Sequence, residues 1–212
     1  MLFGSNTCNP FITLACDFKC PYCITRSVPG YDFGYQHRNS AEWALALNNL
    51  EDVEYIVFNG GEPTLRPGFP ALIDAIHPSD KKWPDGWKIA VGSNGSERAC
   101  KVLAEIRPRA DLIIDLSFHP TDITLSGIVA TATTLLSKGH NVRIHTVSWP
   151  AFGVTTAWLV RQLVELGLDV FQQNFDGWYD GQPKGLLEMF PGEQVADSEE
   201  RRVGKECRSR WS

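Results

Sequence analysis

The chain has 212 residues, 43% hydrophobic and 21% charged, with a formal charge of −5. That much apolar content can bury one core and excludes a disordered chain. With no run of about eighteen apolar residues and no basic-then-apolar order in the opening MLFGSNTCNP, we expect no membrane span and a cytoplasmic protein, and the acidic balance speaks against a nucleic-acid surface.

In chain order, PFITLAC (10–16) reads as a first strand running into a cysteine-rich loop. SAEWALALNNL (40–50) reads as a helix capped by Ser40, with Trp43, Leu47 and Leu50 at helical spacing. Four more β-then-α units follow: EYIVFNG (54–60) with FPALIDAI (69–76), WKIAVGSNG (87–95) with SERACKVLAEI (96–106), DLIIDLSFH (111–119) with ITLSGIVATATTLLSKG (123–139), and NVRIHTVSW (141–149) with TTAWLVRQLVELG (155–167). The last of these is stopped by Gly167. DVFQQNF (169–175) is a sixth strand and GLLEM (185–189) a short helix. Strands that alternate with helices predict right-handed crossovers, a parallel sheet and an α/β fold curled into part of a barrel.

The strand faces carry more. Leu112, Ile114 and Leu116 oppose Asp115, Ser117 and His119; Val142 and Ile144 oppose Arg143 and His145; the sixth strand groups Gln172 with Asn174. If the apolar sets pack on helices, the polar sets face the lumen, where a merely packed barrel would hold valine and isoleucine.

The first loop, CDFKCPYC (16–23), puts three of the six cysteines into eight residues. A structural zinc site wants four ligands, commonly as two pairs. Cys8 or His37 would have to close it here, which would make the chain a non-catalytic metal-binding barrel. A four-iron cluster held by three thiolates instead keeps one iron open to a reacting ligand.

The C-x3-C-x2-C pattern, with Tyr22 before the last cysteine, resembles the signature of the radical S-adenosylmethionine (SAM) superfamily. GGEP, Gly60 to Pro63, after the second strand resembles that superfamily's motif for the methionine amino group, and the six β/α units are similar to its partial (β/α)6 TIM-like barrel. The resemblance implies a 4Fe–4S cluster on Cys16, Cys20 and Cys23, and Tyr22 against the adenine. It also implies a SAM seat made by Gly60, Gly61, Glu62 and Pro63, with Ser93 and Asn94 of the SNG turn lining it. Ser117 would touch the ribose or the methionine carboxylate, and Arg143 would pair with that carboxylate. His119 and His145 are candidates for acid–base work on the substrate; Cys8 and Cys100 are read as structural. The implied chemistry is reductive cleavage of SAM to a 5'-deoxyadenosyl radical that takes hydrogen from an unknown substrate, a peptide being one class. An electron donor such as flavodoxin or ferredoxin is implied as partner.

FQQNFDGWYDGQ (171–182) resembles the region that leads, in peptide-modifying members, to a cysteine-bearing extension with an auxiliary cluster. The core is expected over 1–190 and a tail over 191–212. Within that tail EERRVGKECRSRWS (199–212) resembles the translation of a common short-read sequencing adapter, and we read it as non-native, with the coding sequence cut near Ser198. Without it fifteen basic residues face twenty-two acidic ones, −7, and Cys207 drops out.

Overall fold

The computed structural model describes residues 7–23, 39–50, 53–77, 88–148, 153–174, 176–179 and 182–185. The remainder of GLLEM after Gly185, His37 and the whole 191–212 tail lie outside them.

Six strands, β1 (Thr7–Cys8), β2 (Tyr55–Phe58), β3 (Ile89–Ser93), β4 (Leu112–Phe118), β5 (Asn141–Ser148) and β6 (Val170–Asn174), form one sheet in chain order. Every neighbouring pair is parallel. Between them run α1 (Ser40–Asn48), α2 (Phe69–Asp74), α3 (Glu97–Leu103), α4 (Leu125–Ser137) and α5 (Gly153–Glu165). One face of the sheet meets these helices. Ile56, Phe58, Ile89, Val91, Leu112, Ile114, Leu116, Ile144 and Val170 pack there with Leu47, Phe69, Leu72, Leu103, Ile128, Leu135 and Leu163 in a single core. Phe58 and Phe69, both 0% exposed, meet edge to face with ring centroids 5.9 Å apart. Burying such side chains contributes about 1.5–3 kcal/mol each. The architecture is the expected α/β one, an open six-stranded parallel sheet of partial-barrel type.

The ends of the helices follow from local chemistry. Gly139 and Gly167 adopt φ of +88° and +76°. The amides of His140 and Leu168 reach back to the carbonyls of Leu135 and Leu163, which closes α4 and α5 as a left-handed residue after a helix does.

Four details differ from the sequence reading. The first strand is short and early: β1 ends at Cys8, and residues 10–16 carry only a single parallel bridge, Phe11 to Asn59. Pro10 has no N–H to give a ladder. The cap of α1 is Asn39, not Ser40; Asn39 accepts from the Glu42 N–H and Glu42 answers to the Asn39 N–H. The Ser40 hydroxyl is instead donated to the Gly68 carbonyl. In the sixth strand the register pairs Phe171 with His145, so Phe171 takes the lumen side and Gln172 pairs with Thr146 on the helix side. Finally, β7 (Asp176–Tyr179) and β8 (Gln182–Gly185) form an antiparallel pair, so Gly185 closes a strand rather than opening a helix.

Two glycines separate steric from conformational strain. A Cβ on Gly61 would lie 2.2 Å from the Ala15 carbonyl oxygen and 2.5 Å from that of Leu14, whereas one on Gly167 would meet nothing within 4 Å. We expect Gly61→Ala to cost about 3 kcal/mol, through overpacking against backbone, and Gly167→Ala about 1–2 kcal/mol, through its left-handed φ. Urea unfolding of both variants checks this; equal losses would contradict the steric account.

Candidate functional site

All six strands point the same way, so the loops that follow them gather at one end of the sheet. There the cysteine loop and the GGEP turn are joined by main chain. The Gly61 N–H donates to the Thr13 carbonyl at 3.1 Å and the Glu62 N–H to the Ala15 carbonyl at 2.7 Å. Gly60, at φ +141°, would bring a Cβ within 2.3 Å of the Thr13 oxygen. Both glycines are therefore required by the close passage of residues 13–15.

Glu62 is 0% exposed. Its Oε1 accepts from the Thr64 N–H (3.1 Å), the Thr64 hydroxyl (2.6 Å) and the Ser93 hydroxyl (3.1 Å); its Oε2 accepts from the Asn94 N–H at 2.6 Å. The side chain that the resemblance offered to an ammonium group is thus filled by neutral donors from its own turn and the SNG turn. Burial pushes its carboxyl above the usual range, and these hydrogen bonds oppose the push without cancelling it.

The cysteine loop is held at further points. Asn94 donates from its amide to Asp17 Oδ1 at 2.6 Å and to the Cys16 sulfur at 3.9 Å, and the Ser96 hydroxyl donates to Asp17 Oδ2 at 3.0 Å. The Lys19 N–H donates to Asp122 Oδ1 at 2.8 Å, just beyond β4. Cys16, Cys20 and Cys23 form no disulfide, with Cys20 buried and the other two half-buried. Burial, helped by the neighbouring Asp122, pushes the Cys20 thiol up to about 12, and burial raises Cys16 as well. Among the described residues no three His, Cys, Asp or Glu side chains converge as ligands of one ion.

Inside the sheet, register places Gly92, Asp115 and Arg143 on one level, with Ser117 and His145 on the next. The Arg143 fork, expected on a carboxylate of the cofactor, lies on Asp115 through Nε at 3.4 Å and a shorter Nη2 contact. Its guanidinium carbon stands 5.4 Å from the centre of the Phe171 ring, and the His145 ring stacks on Phe171 at 5.6 Å. Against its burial, Asp115 holds Arg143 above its ordinary range. His119, after β4, meets the Tyr22 hydroxyl at 2.9 Å through Nδ1 and Phe18 edge to face at 6.2 Å. Burial and His145 push the His119 imidazole down to about 4, and burial raises the Tyr22 phenol.

The structure therefore brings Cys16, Cys20, Cys23, Tyr22, Gly60, Gly61, Glu62, Pro63, Ser93 and Asn94 to one end of the sheet. Ser117, Arg143 and His145 line the strands below. Cys8 sits on β1 packed against the core, and Cys100 on α3, half-buried. Asp17, Thr64, Phe171 and Asp122 were not singled out from the sequence. Thr64 alone had a local signal, a hydroxyl two residues after an acceptor.

Two measurements on the metal-free chain follow. Glu62→Ala leaves the Thr64 and Asn94 N–H groups without an acceptor, and we expect a loss of about 3–5 kcal/mol in urea unfolding; a loss under about 1 kcal/mol would return the carboxylate to the role of a free ligand group. For His119, a folded value near 4 against an ordinary 6.5 means that the imidazole favours the folded chain while neutral. That contribution is complete above pH 6.5 and lost as pH falls toward 4, about 3 kcal/mol in all. His119→Gln should flatten this part of the stability–pH curve; an unchanged slope between pH 6.5 and 4 would refute it.

Residues 11–119, slightly more than half of the chain, match the family model of the Radical SAM superfamily. The S-adenosylmethionine-dependent nucleotide dehydratase of Selenomonas ruminantium is 29% identical over 94 residues, 42% of this chain and 29% of that protein. The GTP 3',8-cyclase of Pasteurella multocida (strain Pm70) is 31% identical over 102 residues, 44% and 27% respectively. The chain so spans less than a third of either relative. Two solved structures share the fold. One is anSMEcpe with bound AdoMet, with a TM-score of 0.59 and 18% identity over 84% of this chain and 53% of that one. The other is Streptococcus suis SuiB bound to precursor peptide SuiA, with 0.55 and 17% over 78% and 39%. With the match running from the Phe11 bridge to His119 just after β4, the chain belongs to the radical SAM superfamily of enzymes.

Proposed function

We propose that Cys16, Cys20 and Cys23 each ligate one iron of a 4Fe–4S cluster, and that the GGEP turn, with Ser93 and Asn94, seats S-adenosylmethionine beside it. What carries the reading is the bonding of the cysteine loop to that turn, Gly61 N–H to Thr13 and Glu62 N–H to Ala15, at the end of the sheet where barrel chemistry gathers. The donor set fits the group: three soft thiols on one loop, none in a disulfide, with Cys20 kept protonated by burial unless a metal takes it. When bound, the cluster supplies the electron that cleaves SAM to a 5'-deoxyadenosyl radical, which takes hydrogen from the substrate.

The chain's own residues bind, orient and shield. With the Glu62 oxygens filled, the methionine ammonium is met by the backbone of the turn, which Glu62 keeps in shape. Tyr22, its hydroxyl on His119, offers its ring to the adenine. Ser117 reaches the ribose side, while Arg143, paired with Asp115, belongs to the floor of the lumen rather than to the cofactor seat. The lumen of Asp115, Ser117, His119, Arg143, His145 and Phe171 takes the substrate. We read that substrate as a peptide, on the solved relatives whose structures hold peptides; the curated relatives, named for nucleotide chemistry, supply the competing class for the same assay. A flavodoxin or ferredoxin delivers the electron, in the cytoplasm. Among the described residues no helix is long and apolar enough to cross a membrane.

Anaerobic reconstitution with iron and sulfide tests the reading. We expect about four irons per chain, a broad brown absorption, and slow release of 5'-deoxyadenosine when SAM and a strong reductant are added. Cys20→Ala should abolish all three, and Cys100→Ala should leave them intact. One zinc and no iron would overturn the cluster.

A further inference from the structure

Asp17 follows the first of the three cysteines directly and lies on the surface, yet both of its carboxylate oxygens are taken, one by Asn94 and one by Ser96. Asn94 is 5% exposed and works in three directions at once. Its backbone N–H goes to Glu62, its Oδ1 accepts from the Ser96 N–H at 3.0 Å, and its amide nitrogen is turned to Asp17 Oδ1 and the Cys16 sulfur, 78 residues away in the chain. Capping of α3 does not account for this, since the Ser96 hydroxyl already accepts from the Ala99 N–H. From α4, the Thr131 hydroxyl is donated to the Gly95 carbonyl at 2.9 Å and holds the SNG turn from behind.

We infer that Asn94 is a positioning residue for the cluster, its amide donating to the Cys16 thiolate and clamping the Asp17 carboxylate so that one iron ligand is set from the SNG turn. The inference rests on Cys16 being a cluster ligand. An N–H donor on a ligating sulfur favours the reduced, more negative cluster and raises its potential. A carboxylate one residue away works against reduction, and Asn94 and Ser96 are the donors that fix its position. Because the same residue is fixed by Glu62, the ligand loop and the GGEP turn move as one unit.

The test compares the wild-type chain, Asn94→Ala, Asp17→Asn and the exchanged pair Asp17→Asn with Asn94→Asp, all reconstituted anaerobically. The readouts are the midpoint potential of the cluster, followed by its paramagnetic signal, and the rate of iron release to a chelator. Asn94→Ala should give a more negative potential and about tenfold faster release, the worth of one charge-assisted hydrogen bond. Asp17→Asn, a surface change that does not threaten folding, should shift the potential upward by removing a charge. In the exchanged pair the side-chain hydrogen bond survives with donor and acceptor reversed, so release should be slower than in Asn94→Ala while the potential stays low, the amide at Cys16 being gone. An unmoved potential in Asn94→Ala, with the wild-type cluster intact, overturns the inference alone; release in the exchanged pair no slower than in Asn94→Ala overturns the clamp on Asp17. A wild-type chain that takes up no cluster overturns the cofactor reading and the inference together.

Discussion

Glu62 carries an ionisable group with no exposed surface, and the upper end of the sheet is arranged around it. A carboxylate taken out of water loses far more than any single hydrogen bond returns. The N–H groups of Thr64 and Asn94 cannot accept a bond and, buried, need an acceptor as much as Glu62 needs donors. Each side fails without the other. The GGEP and SNG turns follow different strands, and this shared carboxylate holds them at one fixed distance. A neutral glutamine would keep the volume but point hydrogens at a hydrogen where an oxygen is wanted, so shape alone does not explain the residue.

The same logic extends to the main chain before the cysteines. Pro10 interrupts the ladder of the first strand, yet pairing resumes beyond it through the carbonyls of Thr13 and Ala15, which meet the N–H groups of Gly61 and Glu62. Contact that close leaves no room for a Cβ on either glycine. The two glycines thus serve the approach of one protein segment to another, and the loop with the three thiols inherits its position from that approach. A short, irregular first strand is compatible with a well-placed loop because the loop is fixed by its neighbours and not by its own strand.

The alternation of strands and helices was legible because it depends on periodicity, and the parallel order of six strands followed from it. The stop at Gly167 was legible for a similar reason, since positive φ favours glycine. Side-chain partners across the sheet were not. Nothing local to Arg143 announces that its fork lies on Asp115, 28 residues earlier, because the pairing is created by the register of β4 against β5. Gln172 looked like a lumen residue by composition, but a shift of one position sends the whole set to the opposite face, and the register put Phe171 there. The cysteine and GGEP motifs were visible as patterns, while the filling of the Glu62 carboxylate depended on a turn thirty-odd residues away.

The lumen, read from its floor upward, is layered by that same register. Asp115 and Arg143, with side chains 20% and 16% exposed, form the lowest polar layer. Removing one of them would strand the other in a half-buried setting, a loss that can reach 3–5 kcal/mol when the pair is fully buried. The pair is thus a fixed neutral base, capped on one side by the Phe171 ring. Above it Ser117 and His145 share the next level, and His119, bonded to Tyr22, stands at the mouth beside the cysteine loop. Charge decreases up this column: a compensated ion pair, then a hydroxyl and an imidazole, then an imidazole that burial holds neutral at pH 7. Along that column the compensated ion pair lies farthest from the cysteine loop and the neutral His119 imidazole nearest to it, so Arg143 and Asp115 answer each other's charge before the loop is reached.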